Sequence, residues 1–306
     1  MELIGCGTAL VTPFRSDGAI DEAALHALVQ WQIESGISFL VPCGTTGEAS
    51  TLTDKEWLRT VELVAQTAAG RVPVFGGCTH NATREAVAKV KRLSRIEGLT
   101  GVLTANPYYN RPSQEGQYQH FRAIAEATSL PVLLYNIPGR TGVNLEPATV
   151  LRLAEIKNII GIKESSGNLS QITELIASAP RGFKVFAGDD NLALPILSVG
   201  GAGLVSVASN EAPAQMSRMV QAALSGDWPT ARRINRQFYP LMQGNFMEAS
   251  PAPVKCVLSM MGRLEENFRL PIVPVTHATR AKLEKIAGEL GLLVHAGPGN
   301  EDLRMF

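Results

Sequence analysis

Short apolar, β-branched runs alternate with longer stretches of helical periodicity along most of this chain. Eight runs read as strands: LIGCGTALVT, ISFLVPCG, VPVFGGC, GVLTAN, PVLLYN, IIGIKES, KVFAGD and GLVSVAS. Between them, DEAALHALVQWQIESG, TDKEWLRTVELVAQTAAG, NATREAVAKVKRLSRIEG, SQEGQYQHFRAIAEATS, EPATVLRLAE and LSQITELIASA read as amphipathic helices. Their ends carry the expected punctuation. Asp21 is placed to cap the first helix, with Gly36 to end it, and Thr53 with Glu56 spells a capping box. Eight strands alternating with helices over about 220 residues have the length and rhythm of a (β/α)8 barrel. From about residue 212 onward the pattern is helical and irregular. This predicts a barrel over residues 1–225 and a C-terminal helical domain over residues 226–306. A doubly wound open sheet is the alternative, but no G-x-G-x-x-G follows the first strand.

Composition narrows the function classes. The 306 residues are 45% hydrophobic, and 28 basic residues balance 28 acidic ones. No basic patch stands out, which argues against nucleic acid and anionic membrane as partners. No run approaches the roughly 18 apolar residues of a membrane span. The opening stretch MELIGCGTALVTPF has an acidic second residue and is broken by Gly5, Gly7, Thr8 and Thr12, so it does not read as a signal peptide. The four cysteines are scattered with no C-x-x-C, which fits a reducing cytoplasm. The five histidines, His295 included, show no metal-ligand spacing. No metal or other cofactor is expected.

The candidate chemistry starts from NIIGIKESSG, residues 158–167. An apolar run ends in Lys163, whose ammonium must lose its water or find a partner. Glu164 is adjacent, but strand side chains alternate faces, so it points away. Barrel active sites sit at the C-terminal ends of the strands. There the chain places GTTGE, NPYYN, LYNIPGRT, Lys163, AGDD and SVASN. A lysine in a dry barrel mouth has its ammonium disfavoured, and its neutral amine can form a Schiff base with a carbonyl compound. Tyr135, on the neighbouring strand, is suited to shuttling protons. Thr45 and Thr46, flanked by Gly44 and Gly47, offer hydroxyls and open backbone N–H groups to a small carboxylate. Arg140, on a Pro-Gly loop, suits a second carboxylate. Each residue also has a plainer reading. Lys163 could pair with a carboxylate across the barrel, Tyr135 could be core, GTTGE an ordinary turn and Arg140 a surface ion pair. Their joint placement on successive strand ends favours the chemistry.

GTTGE, PYYNRPSQEGQYQHF, LYNIPGRTG, NIIGIKE and GDD, in that order, resemble the dihydrodipicolinate synthase and N-acetylneuraminate lyase family of class I aldolases. The likeness runs from about residue 5 to 275, and PGRT and YYNRPSQEG point to its synthase branch. The resemblance implies a cofactor-free (β/α)8 barrel with a C-terminal helical domain, usually a homotetramer built as a dimer of dimers. It further implies condensation of pyruvate with L-aspartate 4-semialdehyde. A family member acting on a sugar acid is the rival reading, against which Arg140 counts.

Carried onto this chain, the resemblance makes Lys163 the imine-forming residue and Tyr135 the proton donor and acceptor. Thr45 and Tyr109 complete a proton relay, with Tyr109 reaching in from a neighbouring subunit. Thr46 holds the pyruvate carboxylate, helped by backbone near Val205, and Gly188 lies beside the site. Arg140 binds the carboxylate of the semialdehyde. In lysine-sensitive relatives a regulatory cleft lies at the same dimer interface. The matching positions here are Ala49, Ser50, Leu52, Asn81, Glu85 and Tyr108, with Asp54 and Trp57 standing where many relatives have histidines. Asp54 reads equally as a helix cap. Small departures occur at Pro42-Cys43, at Ala49 and at SPAPVK, where the family has NPIPVK; none touches the relay.

Overall fold

The computed structural model describes residues 3–293. The first two residues of the opening stretch, His295 and the last thirteen positions of the expected C-terminal domain lie outside the described residues.

All eight expected strands are present: β1 Gly5–Ala9, β2 Phe39–Val41, β3 Phe75–Gly77, β4 Gly101–Ala105, β5 Val132–Asn136, β6 Ile159–Glu164, β7 Lys184–Ala187 and β8 Gly203–Ser206. They run parallel in the order β2-β1-β8-β7-β6-β5-β4-β3. A parallel bridge between Leu40 and Val74 joins the two ends and closes the barrel. Alternation of side chains divides the apolar residues into two layers. Phe39, Val41, Phe75, Leu103, Leu133, Phe186 and Val205 fill the barrel interior. Their neighbours face outward and pack with the helices, as Leu40, Val102, Leu134, Ile162, Val185 and Leu204 do. The interior is dense: the Phe39 ring meets Phe75 at 6.1 Å and Phe186 at 5.4 Å, both edge to face. Gly7 makes room for this, because a Cβ there would sit 2.2 Å from the Phe39 ring.

The six expected helices form as Glu22–Glu34, Asp54–Ala68, Thr83–Leu93, Gln114–Glu126, Pro147–Ala154 and Leu169–Ser178. Asp21 caps the first through the Ala24 N–H, and Gly36 follows its last turn with a left-handed φ of 84°. The Thr53–Glu56 capping box has both of its bonds. The helix after β7, Ala193–Ser198, has no counterpart among the sequence-based helices. It has six residues, one of them Pro195, too few to show a period. Pro213–Leu224 completes the barrel layer.

Three further helices follow, Trp228–Gly244, Ala252–Met260 and His277–Glu289. Ala252–Met260 is docked on both faces. Val254 and Leu258 pack with Val11, just past β1, and Val207, just past β8. On its other side Cys256 and Val257 meet Leu283 and Ala287. The C-terminal helices are thereby anchored to the strand-end face of the barrel, where the site lies. No described helix is long and apolar enough to cross a membrane.

Candidate active site

Lys163 and Tyr135 are register partners on β6 and β5. Both are 5% exposed, and the Lys163 ammonium lies 4.3 Å from the centre of the Tyr135 ring. Among the described residues no carboxylate lies within ion-pair distance of Lys163, so the cross-barrel pairing does not occur. Glu164 turns to the opposite face, as alternation requires. There it accepts from Asn136 Nδ2 at 3.1 and 3.2 Å and from the Ser166 N–H at 2.7 Å. Burial pushes the Glu164 carboxyl above its usual range.

Two acids of the AGDD segment, Asp189 and Asp190, feel the Lys163 charge. Burial holds both carboxyls above their usual range; Lys163 offsets part of this for Asp189, and for Asp190 the Ser206, Ala208 and Val207 hydrogen bonds offset more than Lys163 does. Asp190 is spoken for by the Ser206 hydroxyl and by the N–H groups of Val207 and Ala208, so it serves as a brace between β7 and β8. Gly188 is required by packing: a Cβ there would lie 1.9 Å from Ser165 Oγ and 3.0 Å from Lys163 Cε.

A cavity of about 500 Å³ opens at this end of the barrel, and Thr45, Tyr108, Tyr135 and Arg140 are among its lining residues. Thr45 is exposed in the turn after β2, whereas Thr46 is buried. The turn is tightly made. A Cβ on Gly47 would come within 3.0 Å of both Cys43 N and the Leu10 carbonyl. Thr12 Oγ1 donates to the Gly47 carbonyl at 2.7 Å. Val205 is fully buried in the barrel interior on β8. Cys43 also lines the cavity, but burial pushes its thiol up to about 12, and the same holds for Cys78. Neither is a nucleophile at neutral pH.

Arg140 sits in the single helical turn Pro138–Thr141, exposed, and no described carboxylate pairs with it. Its guanidinium is therefore free to bind an anion at the cavity. The two tyrosines of the PYYN segment part company. Tyr108 lines the cavity; Tyr109 is 88% exposed and is not among its lining residues. Tyr109 holds a left-handed φ of 74°, which is uncommon for a non-glycine residue, and its N–H donates to the Thr141 carbonyl at 3.2 Å. Residues 109 and 141 therefore link the loop after β4 to the arginine-bearing turn.

Of the eight regulatory positions, Ala49, Ser50, Leu52, Asp54, Trp57 and Tyr108 line the cavity; Asn81 and Glu85 do not. The Asn81 carbonyl accepts from Asn110, and Glu85 pairs with Arg84 at 2.9 Å. Asp54 is not the helix cap, which is Thr53. Its carboxylate meets Arg92 at 2.7 Å and Lys89 at 3.6 Å, and the Arg92 hydrogen bond holds it below the usual carboxylate range. Trp57 is buried, its indole N–H bonded to the Gly77 carbonyl, with the Lys89 ammonium 4.2 Å from its ring centre. Sequence reading missed Lys89 in this cavity, because its partners lie 32 and 35 positions earlier and only the fold joins them.

The chain resembles proteins of known kind over nearly its whole length. The profile of the dihydrodipicolinate synthetase family matches residues 2–290. A protein of Acidobacterium capsulatum named 4-hydroxy-tetrahydrodipicolinate synthase is 62% identical over 295 residues, covering 96% of this chain and 98% of that one. The crystal structure of dihydrodipicolinate synthase from Acinetobacter baumannii complexed with pyruvate superposes with a TM-score of 0.93 at 40% identity, over 95% of this chain and 99% of that one. The enzyme from Cyanidioschyzon merolae with lysine bound superposes with a TM-score of 0.92 at 38% identity, over 94% and 98% of the two chains.

Proposed function

The chain belongs to the dihydrodipicolinate synthetase family, and on that premise we propose that Lys163 forms the imine through which it condenses pyruvate with L-aspartate 4-semialdehyde. The observation that carries this is a buried lysine near the end of β6, with no ion-pair partner among the described residues, its ammonium against the ring of Tyr135, which lines the cavity. The Lys163 amine, after giving up a proton, attacks the ketone carbon of pyruvate, and loss of water leaves an iminium. The iminium draws electrons from the adjacent methyl group, which gives up a proton and becomes an enamine. The enamine carbon bonds to the aldehyde carbon of the semialdehyde, whose oxygen takes a proton and becomes a hydroxyl. The amino group of the added unit then attacks the iminium carbon and displaces Lys163, closing the ring.

Tyr135 delivers and removes these protons, with Thr45 beside it in the same cavity and Tyr109 supplied by a second subunit. The exposure of Tyr109 supports that last role, since it is outside its own cavity and available to another. A dimer completes the site, and two dimers assemble as a tetramer. Thr46 and the backbone near Val205 take the pyruvate carboxylate; Arg140 takes that of the semialdehyde. The cavity region around Ala49, Ser50 and Tyr108, near Asn81 and Glu85, receives L-lysine as an inhibitor. A relative of the same fold with lysine bound supports that reading.

The test is a substrate panel with purified protein. Turnover of pyruvate with L-aspartate 4-semialdehyde, and none with pyruvate and sugar aldehydes, is the expected result. The reverse preference would establish a sugar-acid aldolase and remove the assigned role of Arg140.

A further inference from the structure

Lys255 is fully buried in helix Ala252–Met260, outside the catalytic cavity. Its ammonium donates to Glu48 Oε1 at 2.7 Å and to the Thr12 carbonyl at 3.1 Å. It also lies 4.4 Å from the Phe14 ring centre and 4.9 Å from that of Phe268. Glu48 is 3% exposed and is the last residue of GTTGE. It holds a left-handed backbone, φ 50° and ψ 36°, which is strained for an L-residue and persists only where its surroundings enforce it.

The enforcement comes from helix Ala252–Met260 and from the loop that follows it. Besides Lys255, the Arg269 N–H reaches Glu48 Oε2 at 3.4 Å. The Arg269 guanidinium donates to the carbonyls of Gly18 and Thr51. Phe14 lies between the two cations, with the Arg269 guanidinium 4.6 Å from its ring centre. Thr12 closes a loop of contacts, because its hydroxyl holds the Gly47 carbonyl while its own carbonyl takes Lys255. The Thr45-Thr46 segment lies directly inside this clamp, tied to Glu48 by the Glu48 N–H bond to the Thr45 carbonyl at 3.1 Å.

A buried ion pair is a costly way to join a helix to a loop. Desolvation of two charges offsets most of their attraction, and an apolar pair of the same volume often serves stability as well. What the apolar pair cannot do is fix a carboxylate, and with it a strained backbone, at one point. We propose that Lys255 and Glu48 are positioning residues for the pyruvate-binding turn: the C-terminal helical region sets the Thr45 and Thr46 hydroxyls by clamping Glu48. This rests on the assignment of that turn to pyruvate.

The test uses the full chain. Lys255→Met alone leaves a buried, unpaired carboxylate and endangers the fold, so the decisive protein is the double variant Lys255→Met with Glu48→Gln. Thermal unfolding of this variant is expected near that of the wild type. Its kcat/KM for pyruvate should fall on the order of tenfold, while that for the semialdehyde stays within about twofold. Trapping of pyruvate on Lys163 by borohydride should need correspondingly more pyruvate. A folded double variant with wild-type pyruvate dependence would overturn the proposal, as would an equal fall for both substrates. Failure of the wild type itself to trap pyruvate would instead overturn the assignment of the site, and the inference with it. If the double variant does not fold, Thr12→Val, which removes only the hydroxyl bond to Gly47, should show the same selective loss for pyruvate; unchanged pyruvate dependence there would overturn the proposal.

Discussion

The Lys163 ammonium lies 4.3 Å above the ring of Tyr135, its register partner on the next parallel strand. The parallel ladder makes this contact a property of the backbone. Strands β5 and β6 pair Leu134 with Ile162 and Asn136 with Glu164 on one face, and Tyr135 with Lys163 on the other. The proposed nucleophile and proton carrier are thus held by the barrel itself rather than by loops.

Arg140 has no acidic partner among the described residues, which leaves its charge available for the proposed substrate contact. Arg140→Ala should lower kcat/KM for the semialdehyde by on the order of 2–4 kcal/mol of transition-state stabilisation, the loss of a charged hydrogen-bond pair. Pyruvate trapping on Lys163 should remain near the wild-type level. A matching loss of trapping would show that Arg140 supports the fold of the site instead.

Tyr109 is exposed in one subunit and proposed to act in another. Tyr109→Phe and Lys163→Ala proteins should each be inactive alone. Mixed under exchange conditions, they should regain activity, because some sites combine an intact lysine with an intact tyrosine. Mixed dimers that form without regaining activity would rule out a shared site.

Lys89 already presents an ammonium to Trp57 and Asp54. An incoming L-lysine must compete with it for the cationic position. Lys89→Met should therefore lower the concentration of L-lysine needed for half inhibition, by roughly three- to tenfold for a cation–π contact with its ion pair. Absence of inhibition and of binding heat up to millimolar lysine, in both proteins, would show that the cleft is not regulatory.

Arg269 also carries a prediction about acid stability. Its hydrogen bonds hold the Glu56 carboxyl down to about 2, against a usual value of 4.5. A depressed folded-state value stabilises the protein above pH 4.5, and that contribution is lost as the pH falls from 4.5 toward 2. The pair is partly exposed, so solvent screening limits it to about 1 kcal/mol. Arg269→Leu should lower the unfolding free energy at neutral pH and flatten its decline across that acid window. Parallel curves for the two proteins would contradict the assignment.

The sequence announced the strands because each is a dense apolar run ended by polar residues. It placed Lys163 against Tyr135 for the same reason, since strand ends in a barrel converge. The helix Ala193–Ser198 was hidden by its shortness. The Glu48–Lys255 clamp was hidden by distance, as its two halves lie 207 positions apart. A trace of it was present all the same: Lys255 stands within APVKCVLSM, a segment otherwise fit only for burial. The exposure of Tyr109 goes with a left-handed backbone at a tyrosine, which no propensity predicts.

Borohydride trapping with pyruvate tests the central claim most directly. Peptide mass mapping after reduction should find one pyruvyl group per chain, on the peptide carrying Lys163, and Lys163→Ala should abolish it. A reduced adduct on any other lysine, or turnover of both substrates with no adduct at all, would contradict the account.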